Sequence, residues 1–135
     1  MFSPGTTVAL MKNYKELKVW QFGMDIVAGV YELARVLPKE EMFGLRSQLT
    51  RAAVSIPSNI AEGSSRGSEK DYSRFLEMAL GSCFEVETQL LIAKQTTLLA
   101  STATDLVLAL LQEEIMMLHA FIRRLRQNPL PAEKQ

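Results

Sequence analysis

One histidine and one cysteine are the whole imidazole and thiol supply that this 135-residue chain offers a metal or a nucleophilic mechanism. His119 stands alone, so neither a His-Glu-x-x-His zinc site nor a di-iron centre built on two Glu-x-x-His motifs can be assembled. Cys83 rules out an intrachain disulfide and a paired-cysteine zinc site, and makes a reducing compartment, the cytoplasm, the default. It falls at an apolar position of its segment, where a thiol acts as a small hydrophobe. His119 follows the apolar Leu118 and reads as a flank or interface residue. No phosphate-cradling Gly-x-x-x-x-Gly-Lys loop and no serine nucleophile elbow occur. Glu85, Glu87, Glu113 and Glu114 could pair as carboxylates across helices, but their spacing equally fits solvated faces, which is the expectation here. These residues predict no catalytic group, no cofactor and no metal: the chain is not expected to be an enzyme.

Two polar patterns remain. The run Val-Ser-Ile-Pro-Ser-Asn-Ile-Ala-Glu-Gly, Val54 to Gly63, lies where the apolar spacing calls for a helix. Pro57 removes the bond to the Ala53 carbonyl at a cost of about 3 kcal/mol, which predicts a bend near Ala53. Ser55, Ser58, Asn59 and Glu62 are expected to be hydrogen-bonded across helices or between subunits, while a kinked core helix is the plainer reading. The second pattern is cationic: Lys12, Lys15 and Lys18; Arg66, Lys70 and Arg74; Arg123, Arg124 and Arg126. With 15 basic and 15 acidic residues the chain has no global positive field, so any phosphate contact must come from such local clusters.

Four helices must position these groups. The first is predicted over Tyr14 to Leu37, with Leu17, Trp20, Met24, Val27, Tyr31 and Ala34 on its inner face and Pro38 as its stop. The second runs from about Glu41 to Gly63 on Leu45, Leu49, Ala52, Ile56 and Ile60. Ser68 and Asp71 form a capping box for the third, which buries Tyr72, Leu76, Ala79, Cys83, Val86, Leu90 and Ala93. Thr96 to Ser101 connects it to the fourth, capped by Thr102 and Asp105 and packed on Leu108, Leu111, Ile115, Leu118, Ile122 and Leu125. Residues 1–12 read as a loose leader with Met11 as an alternative start, 13–127 as one domain, and 128–135 as a tail begun by Pro129. Nothing reads as a membrane span or a signal peptide. The prediction is an all-α, up-down-up-down antiparallel four-helix bundle.

That topology brings the starts of helices one and three and the end of helix four to one pole, and so gathers all nine cations. They read either as a phosphate-binding surface or as solvated helix ends whose charges match the dipoles. Second apolar stripes add a further expectation. Phe22, Ile26, Val30, Leu33 and Leu37 in helix one, and Val107, Leu110, Met117 and Phe121 in helix four, widen the apolar faces beyond one bundle's need. Wide faces of that kind meet another subunit, which predicts a homo-oligomer.

Particular residues resemble a known family. They are Leu17, Trp20-Gln21, Phe43-Gly44-Leu45, Gln48, Arg51-Ala52-Ala53, Ser55-Ile56, Ser58-Asn59-Ile60-Ala61-Glu62-Gly63, Arg74-Phe75-Leu76 and Gly81-Ser82. The family is the four-helix-bundle proteins encoded in intervening sequences of bacterial 23S ribosomal RNA genes, and the likeness spans about Tyr14 to Leu125. It implies kinship with the accessory variability determinant of diversity-generating retroelements, a basic homopentameric barrel that binds nucleic acid and a reverse transcriptase. A pentamer, RNA or DNA, and a reverse transcriptase or other nucleic-acid enzyme are therefore the partners the resemblance implies. Thr96-Thr97-Leu98 replaces the family's frequent Gly-Tyr-Leu, and the neutral charge is a second departure. The expected function is nucleic-acid binding by a cytoplasmic oligomer; the alternative is a scaffold or adaptor with a protein partner only.

Overall fold

The computed structural model describes residues 13–127. Lys12, Met11 and the expected leader and tail lie outside them. Within them the chain is all-α, with four long helices and no strand: α1 Lys18–Arg35, α2 Leu45–Ser64, α3 Glu69–Gln95 and α4 Ser101–Gln127.

Local chemistry sets the boundaries. The expected first helix is divided, because Leu17 takes an extended conformation and separates α1 from a 3₁₀ turn, Tyr14–Glu16. The Asn13 side chain caps that turn, and Gln21 Nε2 donates to the Lys15 carbonyl at 2.9 Å to tie it to α1. Extended Pro38 ends the hairpin's first arm, and a second 3₁₀ turn, Lys39–Glu41, follows. α2 starts a turn later than predicted, with Gly44 as its N-cap, and the Glu41 carboxylate accepts from the free Leu45 N–H at 3.1 Å. The Ser68 hydroxyl accepts from the Asp71 N–H at 3.0 Å, the serine half of the predicted capping box. The Asp71 carboxylate lies 3.6 Å from Arg74.

Thr102 and Asp105 are not caps, because α4 already begins at Ser101. Asp105 instead takes Lys94 of α3 at 2.6 Å. The α3–α4 connection holds Thr97 at φ 58°. Leu98 N donates to Ala93 O and Thr97 N to Lys94 O, the paired bonds of a Schellman turn, whose left-handed position favours glycine. A β-branched threonine therefore carries strain there.

Consecutive helices pack on one another, and α4 returns to α1. Contact pairs run in opposite sequence directions. Gly63 meets Tyr72 and Phe75, and Ser55 meets Ser82. Tyr72 meets Phe121, and Lys94 meets Asp105. Gly23 abuts Glu114, and Gly29 abuts Val107.

The core of α3 is as predicted: Tyr72, Leu76, Ala79, Cys83, Val86, Leu90 and Ala93 are all buried, and so are Leu49, Ala52, Ile56 and Ile60 of α2. The second stripe of α1 supplies most of its buried face: Val19, Gly23, Ile26, Val30 and Leu33 face inward together with Ala34 of the predicted face. Leu17, Trp20 and Val27 of the predicted face pack against the core from partly buried positions, while Met24 and Tyr31 are each 44% exposed. The second stripe of α4 likewise belongs to the protomer. Val107 is buried, and Leu110, Met117 and Phe121 pack against the core from partly buried positions. The apolar excess of α4 assigned to a subunit contact is thus used within the chain; the large apolar side chains that α4 leaves outward are Leu106 and Met116.

Candidate nucleic-acid interface

The predicted cations that are described sit where α1 and α3 begin and α2 and α4 end. Lys18 and Arg124 line one depression with Leu17, Val19, Met117, Ala120 and Phe121. The Arg124 guanidinium lies 5.2 Å from the Phe121 ring centre, and Phe121 meets Tyr72 edge-on at 5.3 Å. Across α3, Arg66 and Arg74 both approach Phe75, at 4.8 and 5.1 Å. Aromatic rings thus hold three guanidinium groups at defined places on this pole, each contact worth about 0.5–1 kcal/mol at an exposed site. Burial pushes the Tyr72 phenol up to about 12, against the opposing pull of Arg124, so this residue stays neutral and serves as packing.

Neutralisation divides the cluster. Arg66 pairs with Glu62 at 2.6 Å, Arg74 lies 3.6 Å from Asp71, and Arg126 pairs with Glu77. Lys15, Lys18, Lys70, Arg123 and Arg124 are exposed and form no ion pair among the described residues. Lys15 stands 6.0 Å from the Tyr14 ring centre in the 3₁₀ turn. Exposed pairs are weak, about 0–1 kcal/mol, and a phosphate can displace the carboxylate from such a cation.

The polar run of α2 divides differently from expectation. Pro57 is buried inside a helix that continues unbroken to Ser64. Ser55 Oγ lies 2.8 Å from Ser82 Oγ, a bond across to α3. Asn59 Nδ2 donates within its own helix, to the Ser55 carbonyl and hydroxyl at 2.9 and 2.8 Å. Ser58 is exposed, and Glu62 faces solvent with Arg66. Only Ser55 makes the predicted cross-helix contact.

Two features escape a reading by spacing. Phe43, between the second 3₁₀ turn and α2, is 91% exposed. Glu114 is the reverse: fully buried, with neither carboxylate oxygen meeting a hydrogen-bond partner among the described residues. It is not on a solvated face as predicted. Its register, three residues after Leu111 and four before Leu118, is the signal that places it inside. Burial pushes its carboxyl up to about 8. Burial also raises the Cys83 thiol far above its usual range, with the Glu114 and Glu87 charges adding to it. Cys83 is a packed, unreactive group, as expected. His119 is exposed, with its ring 6.5 Å from that of Phe84. No cluster of metal-ligating side chains occurs among the described residues, and none of their helices is long and apolar enough to cross a membrane.

Four long helices, a polar proline-containing α2 and cations gathered where α1 and α3 begin and α4 ends describe an all-helical protein. The model of the 23S rRNA-intervening sequence protein family matches residues 15–120, and the chain belongs to that family. A solved structure from Bacteroides thetaiotaomicron, a protein of unknown function from the S23 ribosomal protein family, superposes with a TM-score of 0.72 at 22% identity. The match covers 77% of this chain and 97% of that one; at that identity it speaks for the fold alone. No curated protein matches the chain.

Proposed function

We propose that the chain is an up-down-up-down antiparallel bundle that assembles with copies of itself and binds the phosphate backbone of RNA or DNA through its cationic pole. The pentameric barrel is the assembly the family likeness implies. A cytoplasmic setting beside a reverse transcriptase or other nucleic-acid enzyme fits the same reading. The observation that carries it is the meeting of Lys18 with Arg124 in one depression, together with the ring-supported positions of Arg124, Arg66 and Arg74 at the same end. No catalytic role is assigned. Symmetry would repeat the pole around a ring, and repeated weak contacts become strong when one strand spans them.

A second reading has its own support. Glu62, Asp71 and Glu77 already neutralise three of the arginines, as a scaffold or adaptor that binds only protein would tolerate.

The test is a salt titration of binding to single-stranded and duplex probes of unrelated sequence. Each displaced counterion steepens the log–log salt slope, by about 0.9 per contact on duplex DNA and about 0.7 on single strands. Replacing Arg123, Arg124 and Arg126 by glutamine is expected to weaken binding alike on every probe and to flatten the slope, because phosphate contacts carry no sequence information. Equal slopes for parent and variant place the contacts elsewhere. No binding by the parent at low salt selects the scaffold.

A further inference from the structure

Between the start of α2 and the middle of α3 lies a depression of about 440 Å³ that takes no part in the cationic pole. Phe43, Ser47, Gln48, Arg51, Ser55 and Glu85 line it. Gln48, Arg51 and Ser55 follow one another by three and four residues, so they share one face of α2. Contacts between α2 and α3 run in opposite sequence directions, and Ser55 meets Ser82. Glu85, three residues on from Ser82, is therefore set across from Arg51. Both are exposed, yet they form no ion pair among the described residues. The Gln48 side chain is exposed as well and makes no hydrogen bond among them. At the rim stands Phe43, 91% exposed, with no ring or cation of the described residues against its face.

The lining narrows the class of ligand. One cation and one carboxylate leave the depression near neutral, which disfavours a bare phosphate or a polyanion. A carboxylate only accepts hydrogen bonds and an arginine only donates them, so the occupant carries donors and an anionic group at separate places. An uncovered phenylalanine ring suits a flat partner, and unstacked nucleobases take such platforms. A nucleotide has all three parts: a ring face, a hydrogen-bonding edge and a phosphate.

The edge selects the base. Guanine offers two adjacent donors, N1–H and N2–H, to the two oxygens of one carboxylate, with its O6 beside them as the acceptor for an amide. Adenine and cytosine set an acceptor nitrogen next to their amino group, and uracil flanks its single N–H with two carbonyls. Each of these puts a lone pair against Glu85.

We infer that this depression is a guanine-nucleotide site: Phe43 stacks on the base, Glu85 accepts from N1–H and N2–H, Gln48 donates to O6 and Arg51 holds the phosphate. The nucleotide is either free or an unpaired guanine in a strand. This goes beyond the phosphate-binding reading above and does not rest on it, since Arg51 lies about 20 Å along α2 from Ser64 at the pole.

Calorimetric titration of the full chain with guanosine, adenosine, cytidine and uridine monophosphates tests it, beside a short uridine strand with and without one guanine. A preference for guanine of about tenfold or more is expected. Glu85→Gln should abolish that preference and leave adenosine monophosphate as it was. Phe43→Ala should weaken every nucleotide alike, and Arg51→Gln should weaken guanosine monophosphate but not guanosine. All three side chains are exposed, so each variant is expected to keep its helical circular dichroism. Preference among the mononucleotides marks a free nucleotide as the ligand, and preference confined to the strand marks an unpaired guanine in RNA. Replacing Arg123, Arg124 and Arg126 by glutamine should leave the preference intact even where it weakens the strand. Equal binding of the bases in both formats, binding in neither, or a guanine preference that survives Glu85→Gln overturns the site. The pole is judged separately, by its salt slope.

Discussion

Replacing Glu114 by methionine is expected to stabilise the protein by on the order of 3 kcal/mol at pH 8, which corresponds to roughly 10 °C in melting temperature. Glu114 is fully buried and its two oxygens find no hydrogen-bond partner among the described residues. Its neighbours offer it little. Gly23 of α1 leaves the space it occupies, since a Cβ there would stand 3.2 Å from Oε2. Ile56 and Pro57 of α2 flank that same space. From α3 the titratable groups coupled to this region are the Cys83 thiol, itself neutral, and Glu87.

The sign of the pH dependence follows. An unfolded glutamate releases its proton near 4.5, whereas burial holds the folded group's proton up to about 8. Below 4.5 both states are protonated and this residue exacts no ionisation cost. Between 4.5 and 8 folding must take up a proton, so stability falls by about 1.4 kcal/mol per pH unit at most. Above 8 the fall levels off. Melting of the parent should therefore decline through that window, and Glu114→Gln, which cannot ionise, should remove the decline. A parent melting temperature flat from pH 5 to 9, together with a methionine variant that melts lower at pH 8, would show that the carboxylate is paired and solvated.

The second large effect concerns Gly63, at the end of the polar run of α2. A Cβ at this position would lie 2.8 Å from Phe75 Cβ and 3.1 Å from Tyr72 Cδ1. Phe75 Cβ is fixed to the α3 backbone, so a side chain at Gly63 must push the two helices apart. Gly63→Val is expected to cost roughly 2–3 kcal/mol, the typical penalty of overpacking. Gly81, in α3, is the control: a Cβ there meets nothing within 4 Å, so Gly81→Ala should gain up to about 1 kcal/mol from helix propensity. Denaturant unfolding of both variants separates the cases. A Gly63→Val midpoint equal to the parent's would show that α2 and α3 do not approach so closely.

These positions show what spacing can and cannot convey. The apolar alternation of α3 and its Ser68 cap survive unchanged, because that helix has one dominant stripe. In α1 two apolar stripes compete, and periodicity alone cannot choose between Ile26 and Met24; the choice is made by Ile56 and Pro57 of α2 and by Val107 and Glu114 of α4, which α1 meets at Gly23 and Gly29. Gly63 reads in the sequence as a helix stop, yet α2 runs on to Ser64, and the glycine serves close approach instead. Glu114 beside Glu113 reads as a solvated pair, and only the register from Leu111 to Leu118 betrays its burial. The cationic clusters were legible as clusters. Their aromatic supports were not, because Phe75 and Phe121 meet their arginines through side-chain directions that spacing does not specify.

The proposed phosphate-binding pole is tested most directly by locating the contact itself. The parent protein would be photocrosslinked to a single-stranded RNA at low salt and the modified peptides identified by mass spectrometry. Adducts are expected within residues 13–18, 66–74 and 121–126, and should fade together as salt rises. Adducts confined to the middle of the helices, or none at a salt concentration where binding is otherwise measured, would contradict the assignment of the pole.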